Sequence, residues 1–319
     1  MIKRKHTKQN RFKRMILKLL KVHAFDKETF NFLNPNFDNK GKNYYSFNDK
    51  TYILSNGFLD LKRKINSLDI FFRYCPSVDL WNSSGNWKRI IPGINKEILI
   101  KVCLISIKES LLNFLNNYNL KVTLNLIHDN SNKDFNNDLI KILDNNKFDV
   151  KLKETKITGN RGTFLECCDE SEKAEDLIFF VEDDYLFEKN CIEEMLFSYS
   201  RISTILDQDI FICPSDYPFY YDSAYKTSLF IGKEHRWRFV EETLLTIMFS
   251  KNLLNKYGKN IRLVGEKIND PFEKPIDLIY KKIPCLAPVK STCYHLSRTV
   301  PAVNESWFEL WNKNFEKLK

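Results

Sequence analysis

Leu177-Ile178-Phe179-Phe180-Val181 runs straight into Glu182-Asp183-Asp184 and then Tyr185. Five consecutive apolar residues rich in Phe, Ile and Val read as a strand covered on both faces, as in the middle of a parallel sheet. Open α/β sheets collect their ligands at the carboxyl ends of such strands. Neighbouring carboxylates about 4 Å apart repel by roughly 4 kcal/mol at an effective dielectric near 20, so three in a row call for water, protons or a cation. Carboxylate oxygens suit a hard divalent ion such as Mg²⁺ or Mn²⁺. The plainer alternative is a solvated acidic turn after a core strand.

Working outward, the pattern is regular from residue 68 onward. Residues 69–75 read as a strand, ended by Pro76, which cannot continue a central ladder. Apolar positions Ile98, Val102, Ile105, Leu112 and Leu115 fall on helical spacing within 96–118. A second strand over 121–127 closes on His128-Asp129-Asn130-Ser131. A helix over 135–143, a strand over 148–152 and a helix over 163–174 lead back to the acidic strand. The order β-α-β-α-β-α-β predicts an α/β fold with a mostly parallel sheet and helices on both faces. Beyond it, residues 211–214 read as a further strand, and an apolar run ending at Leu254 has a helical look. Residues 31–65 are rich in Asn, Tyr and Lys with weak periodicity, an extension with room for a hairpin.

Composition bounds the function. The chain has 319 residues, 43% of them hydrophobic and 25 of them Phe, enough for one large domain or two intimate halves. Only nine residues are Gly, and neither a GxGxxG nor a GxxxxGK[ST] segment occurs. The eight cysteines form no CxxC pair and no zinc spacing, which reads as buried thiols in a reducing compartment. Without a signal-peptide pattern or an apolar run long enough for a bilayer, the expected location is cytoplasmic. The net charge of +9 is concentrated at the start, where residues 1–30 hold ten Lys or Arg against Asp26 and Glu28. The near-neutral remainder gives no electrostatic ground for nucleic-acid binding. Within residues 1–30, Phe12, Met15, Ile16, Leu17, Leu19 and Leu20 alternate with basic residues, which suits peripheral contact with anionic lipid or equally a solubilising tail.

The wording FFVEDDYLF, residues 179–187, is similar to the Glu-Asp-Asp element of N-acetylglucosaminyltransferase-I-like enzymes, and closer to bacterial and viral family 2-like glycosyltransferases. The resemblance covers about residues 68–300 and implies a GT-A fold. It divides the chain into a basic extension (1–65), a nucleotide-sugar-binding half (66–185) and an acceptor-binding half with a C-terminal segment (186–319). It also implies a metal-dependent, inverting sugar transfer from a nucleotide-diphosphate sugar, UDP favoured, to a carbohydrate or glycoconjugate acceptor, with Mn²⁺ or Mg²⁺ as cofactor.

Site residues follow from the same resemblance. Arg73 and Asp129 stand where the family contacts the nucleotide, and a carboxylate can accept a uracil imide N–H as a guanidinium can take a carbonyl or phosphate oxygen. Gly159-Asn160-Arg161-Gly162-Thr163 resembles the family's Gly-Asn-x-Gly-Ser turn beneath the donor, where a helix N-terminus favours an anion. Trp237 and Arg238 match the family's Trp-Arg segment. Cys293-Tyr294-His295-Leu296 resembles a Thr-His-Leu segment whose histidine completes a metal shell with Asp184. Asp183 is expected on the ribose or a metal water, and Glu182 in support of the base or loop. In an extended segment Glu182 and Asp184 share a face that Asp183 does not, so the three acids have separate roles. An inverting enzyme also needs a base. Asp270 ranks first among the candidates, followed by Asp216, Glu241 and Glu242; the last two read equally as the first turn of a helix, where acids favour the dipole. Two rival classes remain. A nucleotidyltransferase would carry a basic Gly-rich loop after its first strand, where this chain has Cys75-Pro76-Ser77-Val78-Asp79, and a non-catalytic binding protein would keep the fold with an idle acidic turn.

Overall fold

Strand β4 (Leu177–Glu182) is buried along its whole apolar length and lies between two other strands of a nine-stranded sheet. The computed structural model describes residues 61–77, 91, 93–144, 147–222, 227–297 and 307–318. Expectations for residues 1–60, including the basic segment and the hairpin, lie outside the described residues.

The first half follows the predicted alternation closely. Strands β1 (Ser67–Tyr74), β2 (Lys121–His128) and β3 (Asp149–Glu154) alternate with helices α1 (Lys96–Leu115), α2 (Lys133–Ile142) and α3 (Asn160–Ser171) before β4. The sheet order begins β3-β2-β1-β4 with every pair parallel. Register matters for function: Arg73 of β1 lies level with Ile127 and Glu182, and Tyr74 with His128. The carboxyl ends of three strands therefore open at one edge. Local chemistry sets the helix starts, since Asn95 accepts the Ile98 N–H at 2.8 Å and Asn132 the Phe135 N–H at 2.7 Å, satisfying donors that a helix end leaves open.

Beyond β4 come β5 (Tyr185–Phe187), α4 (Cys191–Leu206), β6 (Phe211–Ile212), β7 (Leu229–Ile231), β8 (Arg236–Val240), β9 (Ile247–Ser250), α5 (Lys251–Glu266), α6 (Lys274–Tyr280), β10 (Cys285–Pro288), β11 (Cys293–His295) and α7 (Trp307–Phe315). The run to Leu254, whose periodicity suggested a helix, is not helical throughout. Ile247–Ser250 is a strand, and the helix starts only at Lys251, capped by the Ser250 hydroxyl. A short buried apolar run is ambiguous by periodicity, and pairing decides it: β9 fills the slot between β4 and β6, antiparallel to both. Glu241 and Glu242 consequently precede a strand instead of opening a helix. The sheet continues β9-β6-β10-β8-β7, so one mixed sheet spans both halves of the sequence.

Phe180 shows why β4 is held so firmly. Its ring meets Phe71, Phe164 and Phe249 edge-on at 5.8, 5.6 and 5.3 Å, joining β1, α3 and β9 around one side chain. Each such pair adds about 0.5–1.5 kcal/mol beyond the area buried. The helices flank the sheet in two packed groups, α1 with α2, α4 and α7, and α5 with α3 and α6. All eight cysteines are free, and Cys167 and Cys168 are buried side by side on α3. Among the described residues no helix is long and apolar enough to cross a membrane.

Candidate functional site

The site grows from the end of β4. Glu182 still belongs to the ladder, its N–H given to Thr246 Oγ1 at 3.2 Å, while Asp183 and Asp184 form the turn into β5. Arg73, on the neighbouring strand and 4% exposed, makes an ion pair with Glu182 and donates to the side chain and backbone oxygens of Asn160. Among the described residues its buried Nε has no hydrogen-bond partner. Asp183 receives Lys96 Nζ at 2.6 Å on one oxygen and the Cys75 N–H at 3.3 Å on the other. Asp184 Oδ2 faces His295 Nε2 at 3.3 Å.

His295 owes its place to tertiary packing. Strand β11 pairs antiparallel with β5, setting His295 opposite Tyr185, and the two rings stack at 4.8 Å. The Leu296 N–H closes the turn on the Asp184 carbonyl at 2.8 Å. Behind the strand, Val102, Cys103, Leu186, Tyr294, Leu296 and Trp311 pack as one apolar cluster from α1, β5, β11 and α7. A residue 111 positions from Asp184 is thus locked against it.

The three acids are perturbed in different directions. Burial pushes the Glu182 carboxyl up, against the pull of Arg73, and pushes Asp183 up, against the pull of Lys96. For Asp184 burial acts the same way but His295, with help from Lys96 and Arg73, outweighs it and holds the carboxyl down at about 2. Each acid has its own partner: Arg73 for Glu182, Lys96 for Asp183 and His295 for Asp184.

Among the described residues no group of three or more His, Cys, Asp or Glu gathers as a metal cage. The Asp184–His295 pair nevertheless fits a divalent ion. Two donors at 3.3 Å have about the spacing of adjacent ligands on one ion with bonds of 2.0–2.1 Å. An ion that keeps one or two protein donors and takes its remaining oxygens from phosphates and water needs no larger protein shell. Imidazole must be neutral to ligate, so such an ion would displace the proton that His295 shares with Asp184.

The remaining predicted residues fall in several places. Asp129, at the end of β2, accepts the Gly159 N–H at 2.6 Å, which ties that strand end to the start of α3. Gly159 has φ of 90°, a conformation that favours glycine, and a Cβ on Gly162 would lie 1.7 Å from the Ile157 carbonyl oxygen. Arg161 turns away and donates to the Gly265 carbonyl at 2.7 Å, joining α3 to the end of α5. Trp237 is fully enclosed, its indole N–H given to Glu194 at 2.9 Å. Arg238 is an ion-pair partner of Asp216 and lies over the Tyr221 ring at 4.5 Å. Asp216 also accepts the Tyr221 hydroxyl, so both its oxygens are engaged. Its turn reaches the acidic one through Tyr217, whose hydroxyl meets that of Tyr185 at 2.7 Å. Glu241 and Glu242 are exposed, as is Asp270.

Sequence reasoning missed Glu273 and Lys96. Glu273, just before α6, is half-buried and pushed up to about 7 by burial and by the charge of Glu182, while Arg73 and His295 pull it down. Glu273 stands three positions after Asp270. Asp277, one helical turn on, is also pushed up to about 7 by burial, partly offset by its hydrogen bond from the Thr243 N–H. Nothing in residues 270–277 marked one acid over another; Lys96 was legible only as the start of a crossover helix, an end that parallel topology brings to the carboxyl edge of the sheet.

No family model matches the sequence, and no curated protein matches it either. Among solved structures the chain is similar to TarS of S. aureus, at 12% identity over 76% of this chain and 38% of that one, with a TM-score of 0.45. UDP-glucose pyrophosphorylase complexed with UDP-glucose aligns at 11% identity over 79% of this chain and 100% of its own, also with a TM-score of 0.45. The glycosyltransferase GlyE of Streptococcus pneumoniae aligns at 8% identity, over 79% and 63%, with a TM-score of 0.40. The chain spans 38% of the length of TarS and 63% of its 1–349 fragment.

Proposed function

We propose that the chain is a GT-A-type glycosyltransferase that uses a nucleotide-diphosphate sugar, UDP-linked by preference, and transfers the sugar to a hydroxyl of a carbohydrate or glycoconjugate acceptor. The observation that carries this reading is geometric: the Arg73–Glu182 ion pair stands beside the Asp184–His295 pair at the carboxyl edge of a mostly parallel sheet, and Glu273 responds to the charges of Glu182, Arg73 and His295. That edge is where α/β folds bind nucleotides.

Each residue then has a task. Asp184 and His295 would hold Mn²⁺ or Mg²⁺, which would neutralise charge on the departing diphosphate. Arg73 fixes Glu182 and Asn160 and so shapes the wall between β1, β4 and the α3 N-terminus. That helix end, with its close glycine turn, favours the diphosphate anion. Glu273 takes the proton of the acceptor hydroxyl, since a carboxyl raised to about 7 is a far stronger base than an ordinary one and is still half ionised near neutrality. Attack from that side inverts the anomeric carbon. Peripheral contact with anionic lipid through residues 1–30 completes the proposal and rests on the sequence.

The test is donor turnover. Incubation with UDP- and GDP-sugars and Mn²⁺ releases nucleotide from the wild type, and Asp184→Ala lowers the rate by at least about a hundredfold, as expected when a charge-stabilising group is lost. Failure to bind or turn over any nucleotide sugar, or an unaffected Asp184→Ala, sinks the proposal. Condensation of a sugar phosphate with a nucleoside triphosphate, without sugar transfer, would instead favour the nucleotidyltransferase class.

A further inference from the structure

Lys96 opens α1, one residue after the Asn95 cap. A cation is the wrong sign for a helix N-terminus, where the peptide dipoles favour anions, so the position needs a compensating partner. Asp183 supplies it. The ammonium and carboxylate meet at 2.6 Å, and each side chain is only 11% exposed. Burial works against the Lys96 ammonium, yet Asp183 and Asp184 outweigh it and hold its value above the ordinary one. Asp183 is fixed from its other oxygen by the Cys75 N–H, so the carboxylate is held between β1 and α1.

The pairing divides the acidic turn by charge. Glu182 is matched by Arg73 and Asp183 by Lys96, each in an ion pair, whereas Asp184 faces an imidazole that is neutral whenever it ligates a metal. One negative charge is left, at the one acid with a metal-ligating neighbour. We infer that Lys96 is a positioning residue: a built-in counter-ion that keeps Asp183 out of the coordination sphere and directs a single divalent cation to Asp184 and His295. The inference rests on the proposed function and adds a residue that holds the site to one external cation.

Mn²⁺ binding in the presence of UDP, followed by electron paramagnetic resonance, tests it. The wild type and Lys96→Arg bind one Mn²⁺ per chain with equal affinity. Lys96→Met, which strips Asp183 of its counter-ion, binds Mn²⁺ at least about tenfold more tightly or takes a second ion. A folded Lys96→Met with wild-type affinity and stoichiometry overturns the inference. Should that variant unfold, the double variant Lys96→Met/Asp183→Asn removes both charges and decides the matter: one Mn²⁺ bound as in the wild type supports the inference, and lost binding shows Asp183 to be a ligand and overturns it. Absence of Mn²⁺ binding by the wild type overturns this inference together with the metal part of the proposed function, whereas normal wild-type binding with contrary variants overturns the inference alone.

Discussion

Glu273 has two measurable consequences at the scale of one side chain. Its folded value of about 7 stands above the ordinary 4.5, so the folded protein keeps a proton that the unfolded chain has released across that interval. Stability linked to this group is therefore full below about pH 4.5 and lost as pH rises through about 7. As the base, however, Glu273 works only when ionised, so turnover should rise with pH through the same region. Glu273→Gln should flatten that rise and lower kcat by about 10²–10⁴-fold. It should also melt a few degrees higher than the wild type at pH 8, where the buried charge is absent. An unchanged pH–rate profile would remove Glu273 from the role and leave Asp277→Asn as the next variant to measure. Asp184 and His295 could be singled out in the sequence because their neighbours matched a motif. Glu273 could not, because a carboxylate becomes a base through its burial and its charged neighbours, which lie on β1, β4 and β11.

At the scale of an element, the turn from β3 into α3 is the most constrained. Gly159 takes a positive φ and Gly162 lies where any Cβ would strike the Ile157 carbonyl. Gly162→Ala, whose Cβ would lie 1.7 Å from the Ile157 carbonyl oxygen, should therefore shift the turn by more than an ångström and pull Asn160 away from Arg73. Overpacking of this kind costs about 1–3 kcal/mol. Affinity for UDP, measured by calorimetry, should fall about tenfold or more while the far-ultraviolet spectrum stays native, and wild-type affinity would show that the turn does not support the donor. The glycines were visible in the sequence as a turn. The misread element, β9, had no such mark: Ile247-Met248-Phe249 is apolar on every side, which suits a buried strand or a buried helix, and only the vacant place between β4 and β6 selects the strand.

At the scale of the whole molecule, the surplus of charge in residues 1–30 predicts a separable function. Removing those residues should abolish sedimentation with vesicles containing anionic lipid at low salt and leave release of UDP unchanged; equal sedimentation of the shortened chain would dismiss the lipid contact. By itself the sequence determined the alternation of the first half and the position of the acidic turn. Both follow from local information, since strand and helix periods and a run of acids are properties of neighbouring residues. The order β3-β2-β1-β4, the insertion of β9, the pairing of Lys96 with Asp183, the meeting of Asp184 with His295 and the burial that raises Glu273 were decided only by the tertiary structure. Those contacts join residues tens to more than a hundred positions apart, and what brings them together is the packing of a sheet and its helices.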